Sequence, residues 1–218
     1  MPMSNLLHLP VVIHFAGALR PKRILDIGVG IGTYGLVLRQ YLDISSQVLD
    51  KTKWATVIDG IEIFEPYRNP VWEYAYNRIF VGDIRTLIDQ LERYDVVLCN
   101  DVLEHLELDE ARALISKLLA DRQTVIATTP NVDFPQGPWA GNQAEAHRCS
   151  LQANDFPDVV TLKRTGVTTC FVCTRRNDHI AIMKKTRFNY PINKEEIMRR
   201  GVEEIKRLAG KVFEVAST

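Results

Sequence analysis

Residues 23–33 read Arg23-Ile24-Leu25-Asp26-Ile27-Gly28-Val29-Gly30-Ile31-Gly32-Thr33, and this stretch decides the fold. Its first half is a short, mostly apolar run that suits a buried strand, and its second half places glycine at every other position. Residues 33–42 then carry apolar side chains at helical spacing. A strand that turns through glycines straight into a helix is the opening unit of an open α/β sheet. Glycine at such a turn lets the backbone approach a ligand closely and adopt φ values that side chains resist.

Working outward, the same alternation repeats. Strands are predicted at 23–28, 57–63, 78–81, 94–99 and 124–128, with helices at 33–42, 66–76, 84–91 and 108–119 between them. The connection 43–56 has room for a short helix. Apolar runs separated by helices predict a Rossmann-like doubly wound sheet, mostly parallel and covered on both faces. After residue 128 the alternation breaks. Residues 129–148 contain Pro130, Pro135, Gly137, Pro138 and Gly141 and read as a long loop, and loops of that length are usually functional or disordered. Strands are expected at 159–164, 168–174 and 179–184, the last two as an antiparallel edge hairpin. The expected organisation is an N-terminal helical segment (1–22), a ligand-binding domain (23–185) and a helical extension (186–218). Within that extension, 195–211 forms a charged helix that could pack on the domain, act as a lid or join two copies of the chain as a homodimer.

Lys plus Arg equals Asp plus Glu at 27 each, so no global field draws the chain to nucleic acid or anionic lipid. No signal peptide is readable, and the apolar segment 9–19 is too short to span a bilayer. Cys99, Cys149, Cys170 and Cys173 do not suggest a disulfide scaffold, and Cys170 and Cys173 read as buried strand thiols rather than metal ligands. A reduced, cytoplasmic setting is the expectation.

The glycine turn admits two ligand classes. A dinucleotide turn, G-x-G-x-x-G, would need glycine where this chain has Thr33. Asp26, two residues before the first glycine, would repel a pyrophosphate and suits a cationic ligand. Glu62, at the end of the second strand, can accept both hydroxyls of a ribose. Asp83, after the third strand, can accept from an adenine amino group while Ile84 packs on the ring; it also suits the N-cap of the next helix, and the two roles are compatible.

The order D-x-G-x-G-x-G, then Glu62, then Gly82-Asp83-Ile84, then Tyr94 to Asn100 resembles the class I S-adenosylmethionine-dependent methyltransferases over roughly residues 20–185. The resemblance implies that S-adenosylmethionine is the cofactor. It also implies that Asp26, Gly28, Gly30 and Gly32 approach its methionine moiety, that Glu62 holds the ribose, and that Asp83 with Ile84 binds adenine. Asn100 matches the position whose carbonyl faces the ligand's amino group.

Ligands in open α/β sheets sit beyond the carboxyl ends of the strands, so the loops after the fourth and fifth strands should shape the acceptor site. They supply Asp101, Glu104 and His105, and then Glu145, His147 and Arg148. His105, His147 and Glu104 are the candidate catalytic residues, with a histidine as general base. Trp139 and Phe134 are placed to cover an acceptor, and Arg148 to hold an acidic group. The long segment also resembles bacterial methyltransferases of surface-glycan and small-molecule pathways, which implies a small-molecule acceptor such as a sugar hydroxyl or a carboxylate. Two alternatives stay open. One is a metal-assisted methyltransferase of RNA terminal ribose, using Asp101, Glu104, His105 and His147 as ligands; the zero net charge counts against it. The other is a silent S-adenosylmethionine-binding partner protein.

Overall fold

The computed structural model describes residues 6–188. In chain order its elements are α1 (Leu9–Leu19), β1 (Arg23–Ile27), α2 (Thr33–Leu42), β2 (Val57–Glu62), α3 (Pro70–Ala75), β3 (Arg78–Val81), α4 (Ile84–Leu87), β4 (Val96–Asn100), α5 (Leu108–Ala120), β5 (Thr124–Pro130), β6 (Val159–Thr165), β7 (Thr168–Cys173) and α6 (Asn177–Lys185). The strands form one sheet in the order β3-β2-β1-β4-β5-β7-β6, parallel from β3 to β5 and antiparallel through β7 and β6. This is the doubly wound, mostly parallel architecture with an antiparallel edge hairpin that the sequence predicts.

Chemistry at the ends of the elements explains their bounds. Pro10 starts α1, where a missing N–H costs nothing. In α5 Glu107 and Glu110 make a reciprocal capping box, with Lys117 in the last turn. On one face of the sheet Leu25, Ile27, Val97, Cys99, Val125 and Ala127 pack against Ala111, Leu114, Ile115 and Leu118 of α5. Each fully buried Leu or Ile there contributes about 1.5–3 kcal/mol of hydrophobic stabilisation. The opposite face carries α1 and α2. There the buried Arg39 guanidinium bonds Asp43 (2.9 Å), the Thr56 and Ala75 carbonyls and Asn77, so its charge is fully partnered.

Several sequence expectations need correction. Residues 179–184 form α6, not a strand. The alternation of Ile180 and Ile182 imitates a strand, yet His179 and Met183, one turn apart, are the residues buried on the helix face. His179 Nδ1 lies 2.6 Å from Thr124 Oγ1, and α6 packs on α1 and β6. The edge hairpin is instead β6–β7, turning through Gly166 at φ +61°. The helix expected at 66–76 begins only at Pro70, because Asn69 caps it by accepting from Val71 N. The helix expected at 84–91 tightens into a 3-10 turn after Leu87, whereas the short helix for which 43–56 has room is present as two 3-10 turns. Cys170 and Cys173 are buried, unbridged thiols of β7. Among the described residues, no helix is long and apolar enough to cross a membrane. The helix expected at 195–211 lies outside them.

Candidate active site

Beyond the carboxyl ends of β1, β2 and β4 lies an open cleft whose free space, open mouth included, is about 1160 Å³. Its floor is the glycine turn. Gly28 N and Val29 N both donate to Ile61 O, at 2.9 and 3.1 Å, which fastens the turn to β2. Gly28, Gly30 and Gly32 have φ of +75°, +53° and +92°. A Cβ on Gly28 would stand 2.4 Å from Val102 Cγ2, so residue 28 must be glycine for two separate reasons.

Glu62 closes β2 and lines the cleft while only 4% exposed. Its Oε2 accepts from Gly30 N (2.8 Å) and its Oε1 from Phe64 N (2.9 Å). Burial raises its pKa, and backbone N–H donors, Gly30 and Phe64 foremost, oppose that shift. A carboxylate offers about four lone-pair positions, so these donors leave capacity for a ligand hydroxyl. Asp83 also lines the cleft and caps α4, accepting from Arg85 N at 2.8 Å. The Arg85 guanidinium grips both carboxylate oxygens and reaches Glu110 at 2.8 Å. That ion pair, first through its hydrogen bonds, holds the Asp83 carboxyl below its ordinary range. Ile84 and Asn100 line the same cleft.

Asp26 stands elsewhere. It is 1% exposed and does not line the cleft. Its Oδ2 accepts from the Tyr76 hydroxyl at 2.6 Å, and that hydroxyl accepts from Gly35 N at 3.1 Å. Burial pushes the Asp26 carboxyl up to about 7, against the lowering effect of the Tyr76 bond. Asp26 therefore braces the glycine turn from behind, and Gly32, also off the cleft wall, serves as the N-cap of α2.

The three candidate catalytic residues separate. His105 lines the cleft, and its Nδ1 lies 3.3 Å from Ala146 O. A carbonyl only accepts, so this bond puts the ring proton on Nδ1 and leaves the Nε2 lone pair free. Burial lowers the His105 pKa, which favours that neutral ring. His147 sits behind it, edge to face at 4.9 Å between ring centres, with Nδ1 on Phe134 O at 2.6 Å. Glu104 is 2% exposed, its carboxyl oxygens have no hydrogen-bond partner, and burial pushes its pKa well up. Glu104 does not line the cleft, so its carboxyl is not placed to meet a substrate there. Its backbone does bind the acceptor loop, because Glu104 O accepts from Arg148 N (2.8 Å) and Cys149 N (3.2 Å).

Asp101 lines the cleft at a left-handed φ of +51°, held by Thr128, whose carbonyl accepts from Asp101 N and whose Oγ1 donates to Asp101 Oδ1 (2.9 Å). Among the described residues, no three His, Cys, Asp or Glu side chains gather as a metal site. Arg148 lines the cleft but pairs with Glu107 at 3.2 Å, and Phe134 and Trp139 are exposed. The sequence reading missed Tyr67 and Asn142, both of which line the cleft. Asn142 had a signal in its capping position before Gln143–Glu145, where it accepts from Ala144 N at 3.0 Å. Tyr67 had none, since its partner is Glu145.

Comparison with known proteins fits this geometry. The family model described as a methyltransferase domain matches residues 9–184. No curated protein matches the sequence. Among solved structures, magnesium protoporphyrin IX methyltransferase (ChlM) from Synechocystis PCC 6803 is 19% identical with a TM-score of 0.53, over 78% of this chain and 84% of that one. The methyltransferase domain of bacterial CtHen1-C gives 18% and 0.53 over 77% and 96%. The N-terminal domain of EvdMO1, solved with SAH and D-fucose, gives 20% and 0.50 over 75% and 80%. These likenesses carry the fold, and the family match covers most of the chain. The chain belongs to the methyltransferase domain family, and its seven-stranded sheet is that of the class I, S-adenosylmethionine-dependent enzymes.

Proposed function

We propose that the protein moves a methyl group from S-adenosylmethionine to a hydroxyl of a small molecule, a sugar among the candidates, in the manner of bacterial surface-glycan and small-molecule methyltransferases. The observation that carries this reading is that Glu62, Asp83 and His105 line one cleft over the glycine turn. Gly28 and Gly30 would meet the donor's methionine part, Glu62 the ribose, Asp83 and Ile84 the adenine, and Asn100 the amino group. When bound, the donor supplies an electrophilic methyl on a sulfonium. Glu62, whose partners are backbone N–H groups rather than a cationic side chain, gives the cleft an acidic group that suits a cationic ligand.

The protein's own work is then to position the acceptor and take its proton. His105 Nε2 is the group with a free lone pair for a hydroxyl proton. A carboxylate acceptor would need no base and would need a cation, so the neutral histidine favours the hydroxyl. The zero net charge and the acidic cleft weigh against RNA. The same reading places the enzyme in the cytoplasm.

Calorimetry with S-adenosylhomocysteine and with NAD tests the donor, and heat with NAD alone would overturn the reading. Methyl consumption across hydroxyl and carboxylate acceptors tests the rest. Turnover of carboxylates that is indifferent to His105→Gln would remove the hydroxyl assignment.

A further inference from the structure

We propose that Tyr67 is a positioning residue: through Glu145 it pins the acceptor loop so that the Ala146 carbonyl keeps the His105 proton on Nδ1. The inference rests on the reading of His105 as the base.

Tyr67 ends the 3-10 turn Glu65–Tyr67 that follows β2, on the Glu62 side of the cleft. Its hydroxyl donates to Glu145 Oε1 at 2.8 Å and accepts from Asn142 Nδ2 at 3.4 Å. Glu145 and Asn142 are 7% and 5% exposed, so these bonds are shielded from competing water. Burial, followed by the Glu145 contact, drives the Tyr67 hydroxyl up to about 12, so it stays a donor through the neutral range. The Phe64 ring meets the Tyr67 ring edge-on at 4.8 Å, and Phe64 N bonds Glu62.

Glu145 is the hub of the loop. Its carbonyl accepts from Gln136 Nε2 at 2.7 Å, and Gln136 O accepts from His147 N at 2.9 Å. The next carbonyl along the chain, Ala146 O, is the one that faces His105 Nδ1. Moving Glu145 therefore moves the group that fixes the tautomer of the base. Loss of the phenol hydroxyl lets the proton visit Nε2, where it blocks proton abstraction.

The test uses full-length protein carrying 15N-labelled histidine, without ligand. In the wild type the His105 ring nitrogens should report a protonated Nδ1 and a bare Nε2. In Tyr67→Phe the two shifts should converge, and amides 142–147 should exchange at least tenfold faster. Glu145→Gln keeps an oxygen that accepts from Tyr67 and should stay within threefold of the wild type. Wild-type shifts and exchange in Tyr67→Phe would overturn the proposal, as would a Glu145→Gln that changes as much as Tyr67→Phe. S-adenosylhomocysteine affinity, measured on the same samples, should differ less than threefold between wild type and Tyr67→Phe. Absence of any such binding in the wild type would sink the donor assignment while leaving the tautomer result to stand on its own.

Discussion

Asp26→Asn isolates the buried acid behind the glycine turn. An amide oxygen still accepts from the Tyr76 hydroxyl, so the change removes charge with little change of shape. The Asp26 carboxyl titrates at about 7 in the fold against an ordinary 3.8, and the cause is burial. The folded state therefore binds a proton more tightly than the unfolded chain. The stability this confers is complete below pH 3.8 and is lost as the pH rises to about 7. The gap of about three pKa units corresponds to about 4 kcal/mol, taken as an upper bound because water penetration and relaxation reduce it. Urea unfolding of wild type and Asp26→Asn at half-unit steps from pH 4 to 8 measures the difference. It should swing toward the asparagine variant by about 2–4 kcal/mol across that range and flatten above pH 7. Groups that do not couple to Asp26 cancel in the difference; Glu62, Tyr76 and Cys99 do couple to it, and the last two are pushed to still higher pH by burial. A difference that stays constant with pH would refute the claim that Asp26 is neutral at the acid end and charged at the other.

Three further outcomes are expected. Glu62→Ala removes the acceptor of Gly30 N and Phe64 N along with the proposed ribose contact, and calorimetry should show S-adenosylhomocysteine affinity falling about 100-fold, as for the loss of charge-assisted bonds worth about 3 kcal/mol. His105→Gln should lower turnover about 10²–10⁴-fold while S-adenosylhomocysteine affinity holds within threefold; because burial lowers the His105 pKa, the wild-type rate should rise with pH through a limb below 6.5 and level above it. Gly28→Ala meets both the φ of +75° and Val102 Cγ2, a combined cost of about 2–5 kcal/mol in thermal unfolding; adding Val102→Ala should recover only the crowding part.

The sheet was legible because a parallel sheet buries its strands on both sides, so β1, β2, β4 and β5 appear as short, apolar-rich, β-branched runs between helices. The hairpin was misassigned where two isoleucines sat at alternate positions in a short helix, and periodicity cannot separate the two states over six residues. Local contacts in the site were equally readable: Asp83 bonds a residue two positions on, a spacing visible in the chain. Partners far apart in sequence were not. Asp26 meets Tyr76 fifty residues later, and Tyr67 meets Glu145 seventy-eight residues later. Glu104 and His105 are neighbours in the chain, yet a tight 3-10 turn sends one side chain into the core and the other to the cleft.

The margins of the sheet bear on how copies of this protein can meet. β3 is four residues long, and its Arg78 is anchored on the buried Asp59 at 2.7 Å. β6, at the far side, shifts register between Val159 and Thr161 and carries Lys163 and Arg164. Short length, an irregular ladder and cationic side chains are all features that discourage another chain from adding a strand. Among the described residues, sheet extension is thus guarded at both borders, which lowers the hazard of fibrous growth.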